Sequence, residues 1–177
     1  MNSNFNPLSP EELVSRINKI PRIRLAQLPT VLEYAPNISK ELNINLYIKR
    51  DDCTALAFGG NKTRHLEFIM AKTLSGEYDC ILTGAASQSN FCRQAVAAAN
   101  KLNLDSYLVL MHGVKGKLMQ GNFLLYNILG ANVDVVDGEN LEDIPKHLDK
   151  KYDELIKEGR KPLLIYGGFG EEDTTLA

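Results

Sequence analysis

The stretch Leu56-Ala57-Phe58-Gly59-Gly60-Asn61-Lys62-Thr63-Arg64-His65-Leu66-Glu67 decides how the rest of the chain is read. It follows a strand-like run, Leu46 to Arg50, and an acidic pair, Asp51 and Asp52. From Lys62 onward the pattern turns helical, so this lysine stands where a glycine-bearing loop becomes a helix. Glycines let the backbone turn there and leave room for a flat ligand. The positive end of a helix dipole disfavours an ammonium and favours the free amine. In a partly dry setting such an amine is a nucleophile, which is what a lysine that bonds to an aldehyde requires. The same residues also suit an ordinary solvated lysine at a helix start. A nucleotide P-loop is excluded, because Asn61 stands where a glycine would precede the lysine. Asn61-Lys62-Thr63 spells a glycosylation acceptor, but nothing else in the sequence suggests secretion.

Outward from this stretch the chain alternates. His65 to Leu74 reads as helix, with Gly76 as its stop. Strands are expected at Cys80–Thr83, Tyr107–Met111, Val133–Val136 and Leu163–Tyr166, with helices over Ser89–Leu102, Asn122–Leu129 and Leu141–Glu158 between them. Gly116 to Gly121 reads as a polar loop. That rhythm means repeated βαβ units: an α/β fold with a parallel sheet and helices on both faces. Ligands on such sheets sit beyond the carboxyl ends of the strands. Before Lys62 the chain is less regular. Asn2 to Asn6 reads as a loose arm, Ser9-Pro10-Glu11-Glu12 as a helix start with a capping box, and Pro21 to Pro29 as an extended segment. Thr30–Glu33 and Ile38–Leu42 read as short helical pieces. The domains expected are an N-terminal segment over 1–61, a small α/β domain over 62–166 and a tail over 167–177.

A second loop, Thr83-Gly84-Ala85-Ala86-Ser87-Gln88-Ser89-Asn90, joins a strand to an alanine-rich helix. Free N–H groups at a helix start, with hydroxyl and amide side chains beside them, bind carboxylates and other anions. Ser and Asn are also ordinary caps, although one hydroxyl suffices for a cap and four polar side chains stand here in succession.

Bulk properties narrow the classes. A hydrophobic fraction of 44% is enough to build a core. A net charge of −2, with both signs interspersed, argues against a nucleic-acid surface. The start of the chain is too polar for a signal peptide, and no apolar run is long enough to span a membrane. Three cysteines without paired spacing suit reduced thiols in the cytoplasm rather than a disulfide framework or a metal site.

Taken together, Arg50-Asp51-Asp52, Gly59-Gly60-Asn61-Lys62-Thr63-Arg64, Gln88-Ser89-Asn90 and Arg93 resemble the 1-aminocyclopropane-1-carboxylate deaminase and D-cysteine desulfhydrase family of pyridoxal-phosphate enzymes. Leu25-Ala26-Gln27-Leu28-Pro29-Thr30 and Gly121-Asn122 extend the resemblance, which runs from about Pro21 to Tyr166. It implies the N-terminal portion of a fold type II, tryptophan synthase beta-like enzyme. It further implies that Lys62 bonds covalently to pyridoxal phosphate, with Asn61 against the cofactor and Asn90 at its ring oxygen. Gln88, Ser89 and Asn90 would hold the carboxylate of a small amino acid, D-cysteine or the cyclopropane acid. Ser89 would also move a proton or attack a strained ring. A 2-oxo acid and ammonia would be released, by a homodimer in the full-length protein.

The chain departs from the family pattern in three places. Phe91 stands where relatives usually carry a polar residue. His65 replaces a usual lysine and reads best as a satisfied histidine on its helix. Relatives are longer, and after Tyr166 the sequence bears little likeness to their continuation, so the loop that grips the cofactor phosphate is expected to be missing. The alternative function is a non-catalytic remnant that binds a partner or small anion through the Gln88–Asn90 loop.

Overall fold

A computed structural model describes residues 7–112, 118–137 and 140–166. The arm expected over Asn2–Asn6, the first part of the loop expected from Gly116, and the tail expected over 167–177 lie outside the described residues.

The chain opens with helix α1, Pro10–Ile17. Its capping box is formed as read: Ser9 Oγ accepts from the Glu12 N–H at 3.2 Å, and Glu12 accepts from the Ser9 N–H at 3.0 Å. An extended segment follows, and then strand β1, Leu32–Tyr34, helix α2, Pro36–Leu42, and strand β2, Tyr47–Lys49. The helical piece expected over Thr30–Glu33 is therefore corrected. A run that short cannot meet the cost of helix nucleation by itself. Here the backbone instead pairs antiparallel with β2, Leu32 opposite Lys49 and Tyr34 opposite Tyr47. The two tyrosine rings lie 5.2 Å apart, a cross-strand contact of the kind that stabilises such ladders.

After the key loop come α3, Lys62–Ile69, and a 3-10 turn, Met70–Ser75, which ends at Gly76. Then β3, Cys80–Ala86, α4, Asn90–Lys101, β4, Asp105–Met111, α5, Gly121–Ile128, β5, Asn132–Val136, α6, Ile144–Lys157, and β6, Pro162–Ile165, follow in strict alternation. The four strands β3 to β6 form one parallel sheet in the order β5-β4-β3-β6.

Side chains alternate across the sheet. Ile81, Leu108, Leu110, Leu163 and Ile165 face α3, α4 and α5, packing with Leu66, Ile69, Ala95, Val96 and Tyr126. Leu82, Val109 and Met111 face α6, packing with Ile144, Leu148 and Leu155. The expected α/β fold with helices on both faces is the one observed.

Strand β3 runs three residues further than its expected end at Thr83. Gly84 and the two alanines have weak strand propensity, which disguised them as loop. Their small size serves the packing: a Cβ at Gly84 would lie 2.5 Å from the Val109 carbonyl oxygen and 3.0 Å from Ile144. The chain winds outward from β3 to β5, then returns to β3's other side as β6. That reversal makes β3 the point where the winding changes direction, and the carboxyl ends of strands at such a point are where α/β sheets bind ligands.

Candidate active site

Two loops meet at that end of the sheet. The first is strained: Ala55, Ala57 and Phe58 all have positive φ, as do Gly59 and Gly60. Each such non-glycine residue costs about 1–3 kcal/mol and persists only when its surroundings hold it. Gly59 cannot be anything larger, since a Cβ would sit 1.8 Å from the Asp52 carbonyl oxygen. Buried Thr54 does much of the holding. Its hydroxyl donates to the Gly60 carbonyl and accepts from the Gly60 N–H, both at 2.9 Å.

Out of this turn Lys62 emerges as the first residue of α3, half-buried. Among the described residues no hydrogen bond or ion pair engages its amine. Asn61 precedes it, exposed and not used as a side-chain cap.

The second loop is the short turn from β3 into α4. Ser89 is the N-cap of α4, its Oγ accepting from the Cys92 N–H at 3.3 Å. The cap occupies a lone pair and leaves the hydroxyl proton free to donate, so capping and ligand binding are compatible uses of this serine. The N–H groups of Asn90 and Phe91 begin the helix and have no intrahelical carbonyl behind them.

Gln88 and Asn90 are both tied to the start of α5. The Gln88 amide donates to the Gln120 carbonyl at 3.1 Å and accepts from the Asn122 N–H at 2.9 Å. Asn122 in turn donates to the Gln88 carbonyl at 2.8 Å and to Asn90 Oδ1 at 3.0 Å. The fit is close: a Cβ at Gly121 would lie 2.6 Å from Gln88 Oε1. Thus Gln88 latches α5 through its side chain and its backbone carbonyl, and the Asn90 amide is oriented by its Oδ1, with its own N–H donors unused among the described residues. Tyr126, fully buried, fixes the turn from beneath by donating to the Ser89 carbonyl at 2.8 Å.

Helix α4 joins the two loops. One turn below Asn90, Arg93 and Gln94 donate to the Gly59 carbonyl at 3.0 and 3.1 Å. Gln94 also accepts from the Thr63 hydroxyl at 2.6 Å. The chain thereby brings the Lys62 stretch and the Gln88–Asn90 turn to one side of one helix. Phe91 does not enter this region. It is buried among Leu25, Leu66, Ile69 and Ile81, so the departure it represents is a matter of core packing. His65 is half-buried on α3 and has a partner. Asn122, Tyr126 and Gln94 were not singled out in sequence as site residues. Gly121-Asn122 was visible only as a motif, and the other two look like ordinary helix positions.

A primary amine at a helix start that no described residue engages, on a stretch joined through α4 to a turn carrying N–H donors, could hold an aldehyde cofactor. A model of the pyridoxal-phosphate dependent enzyme family matches residues 23–175, so the chain belongs to that family of proteins. The match runs past Tyr166, where the likeness was expected to stop. Among curated relatives, a Pyrococcus horikoshii protein provisionally named 1-aminocyclopropane-1-carboxylate deaminase is 39% identical over 158 residues, 89% of this chain and 47% of that protein. A Klebsiella pneumoniae D-cysteine desulfhydrase is 36% identical over 156 residues, 86% of this chain and 47% of the enzyme. The crystal structure of a deaminase homologue superposes with a TM-score of 0.86 at 38% identity, covering 96% of this chain and 51% of that one. Tomato threonine deaminase isoform 2 shares the fold, with a TM-score of 0.63 at 21% identity. Within the pyridoxal-phosphate enzymes the chain falls in the 1-aminocyclopropane-1-carboxylate deaminase and D-cysteine desulfhydrase family. It spans about half the length of the curated relatives it matches.

Proposed function

We propose that this chain forms part of a pyridoxal-phosphate dependent deaminase or desulfhydrase for a small amino acid, of the D-cysteine or 1-aminocyclopropane-1-carboxylate type, yielding a 2-oxo acid and ammonia. The observation that carries the reading is the place of Lys62: a free amine at the head of α3, clamped to α4 below the Gln88–Asn90 turn. The cofactor, when bound, supplies an electron sink for negative charge at a substrate carbon. Lys62 holds it and carries protons beside it. Asn61 and the Nδ2 of Asn90 would hold its ring, and the hydrogen bond that orients the Asn90 amide from Asn122 supports the second of these roles. The N–H groups at the start of α4, with the Ser89 hydroxyl, receive the substrate carboxylate. Ser89 keeps a proton to donate or exchange. The three free cysteines support a reducing, cytoplasmic setting, and the family supports a homodimer as the working assembly.

Incubation of the full-length protein with pyridoxal phosphate, then borohydride, is expected to leave a covalent adduct on Lys62 that Lys62→Arg does not form. Sulfide from D-cysteine, or 2-oxobutanoate from the cyclopropane acid, then separates the two substrate types. An absent adduct, with no 2-oxo acid from either compound, would overturn the reading in favour of a non-catalytic anion-binding role.

A further inference from the structure

The Gln94 side chain spans Lys62. Its carboxamide touches Gly59, three residues before the lysine, and Thr63, the residue after it. Both contacts are buried: Gln94, Thr63 and Thr54 are each 0% exposed. The approach leaves no slack, because a Cβ at Gly60 would lie 2.4 Å from Gln94 Nε2. A buried amide whose donor and acceptor are both used is costly to disturb, since removing either partner leaves a desolvated polar group. Gln94 follows Asn90 by four residues on the same helix, one turn or about 6 Å along the axis. A single side chain therefore measures the distance between the amine-bearing turn and the turn that seats the substrate acid.

We propose that Gln94 is a positioning residue for Lys62, acting with Thr63 to hold the strained Gly59–Gly60 turn against α4. The proposal rests on the function argued above, and its test distinguishes the two. The full-length protein is incubated with excess pyridoxal phosphate and reduced, and labelling of Lys62 is measured by peptide mapping relative to the protein's other lysines. Thr63→Val keeps the volume but removes the hydroxyl. It is expected to lower the Lys62 share by about tenfold, short of the roughly hundredfold that a full ångström of misplacement can cost a reacting group. Thr63→Ser, which keeps the hydroxyl, is expected to restore it.

Gln94→Glu gives a signature that a merely structural role would not produce. A protonated carboxyl group can donate to Gly59 and accept from Thr63, whereas the carboxylate cannot donate. Its labelling, relative to the unmodified chain at each pH, should be near that of the chain at the acid end and fall as the carboxyl ionises. A pH-independent ratio for Gln94→Glu, together with unchanged labelling in a folded Thr63→Val, would overturn the proposal. Should the unmodified full-length protein show no preference for Lys62, the functional reading itself fails instead. If Gln94→Glu does not fold, the Val and Ser pair at Thr63 decides alone.

Discussion

Two of the three cysteines are silenced by where they sit. Burial pushes the Cys92 thiol up to about 12, and it pushes Cys80 up to about 12 as well, helped by the neighbouring Asp79 carboxylate. Only the thiolate attacks disulfides, so neither should react near neutral pH. Cys53 is exposed. Titration of the native chain with an aromatic disulfide at mildly alkaline pH is expected to count one thiol, and three in denaturant. Cys53→Ser should remove the native signal. The same residue-level physics explains what was readable at the site. Lys62, Ser89 and Asn90 announced themselves because a glycine pair just upstream of a lysine at a helix start, and Ser-Asn before an apolar helix, are local patterns with a local cause. The Gln88 latch and the Gln94 clamp did not, because each joins residues 31 or more apart in sequence. Nothing in the spacing of a glutamine tells which distant carbonyl it will meet.

At the level of elements, the helices and the four parallel strands were legible because both ends were marked. Caps, glycine stops and apolar runs agreed with one another. Where a glycine served packing rather than turning, as at Gly84 in β3, the reading stopped short. It failed at Leu32–Tyr34, whose strand exists only because β2 lies beside it. The elements also differ in how far each is coupled to the whole. Helix α1 buries no residue, so its stability is local. Ser9→Ala should cost about 1 kcal/mol of helix stability, seen as faster amide exchange over residues 12–16, without moving the main thermal transition. Helix α6 is the opposite case. Leu148 is 0% exposed and packs with Leu82, Val109, Ile144 and Leu155. Leu148→Ala should cost about 2–5 kcal/mol through lost burial and a residual cavity, and calorimetry should show the single transition shifted down.

Across the whole molecule, the question is what joins the irregular N-terminal third to the α/β unit. Two ion pairs on α3 do so. Buried Glu67 accepts from the Leu25 and Ala26 N–H groups, both at 2.9 Å, and pairs with Arg22. On the next turn Arg64 grips Asp51 with two hydrogen bonds, at 2.7 and 2.8 Å, while Thr30 donates to the same carboxylate at 3.1 Å. Asp51 also holds the Gly59–Gly60 turn before Lys62, because its carbonyl accepts from the Gly60 N–H at 3.0 Å. The Arg64 guanidinium, chiefly through its hydrogen bonds, holds the Asp51 carboxyl below the usual carboxylate range. The unfolded chain therefore binds the extra proton first as pH falls, so the folded state loses stability in that direction. Asp51's contribution is complete above its unfolded pKa, about 3.9, and disappears as pH drops through the lower folded value. Asp51→Asn should thus lower stability at neutral pH and flatten the acid limb of a denaturation profile, leaving variant and parent close together at its acid end. Denaturant melts from neutral to strongly acid pH measure this directly. A constant gap between the two chains across that range would mean that the carboxylate's charge plays no part in joining the N-terminal third to α3.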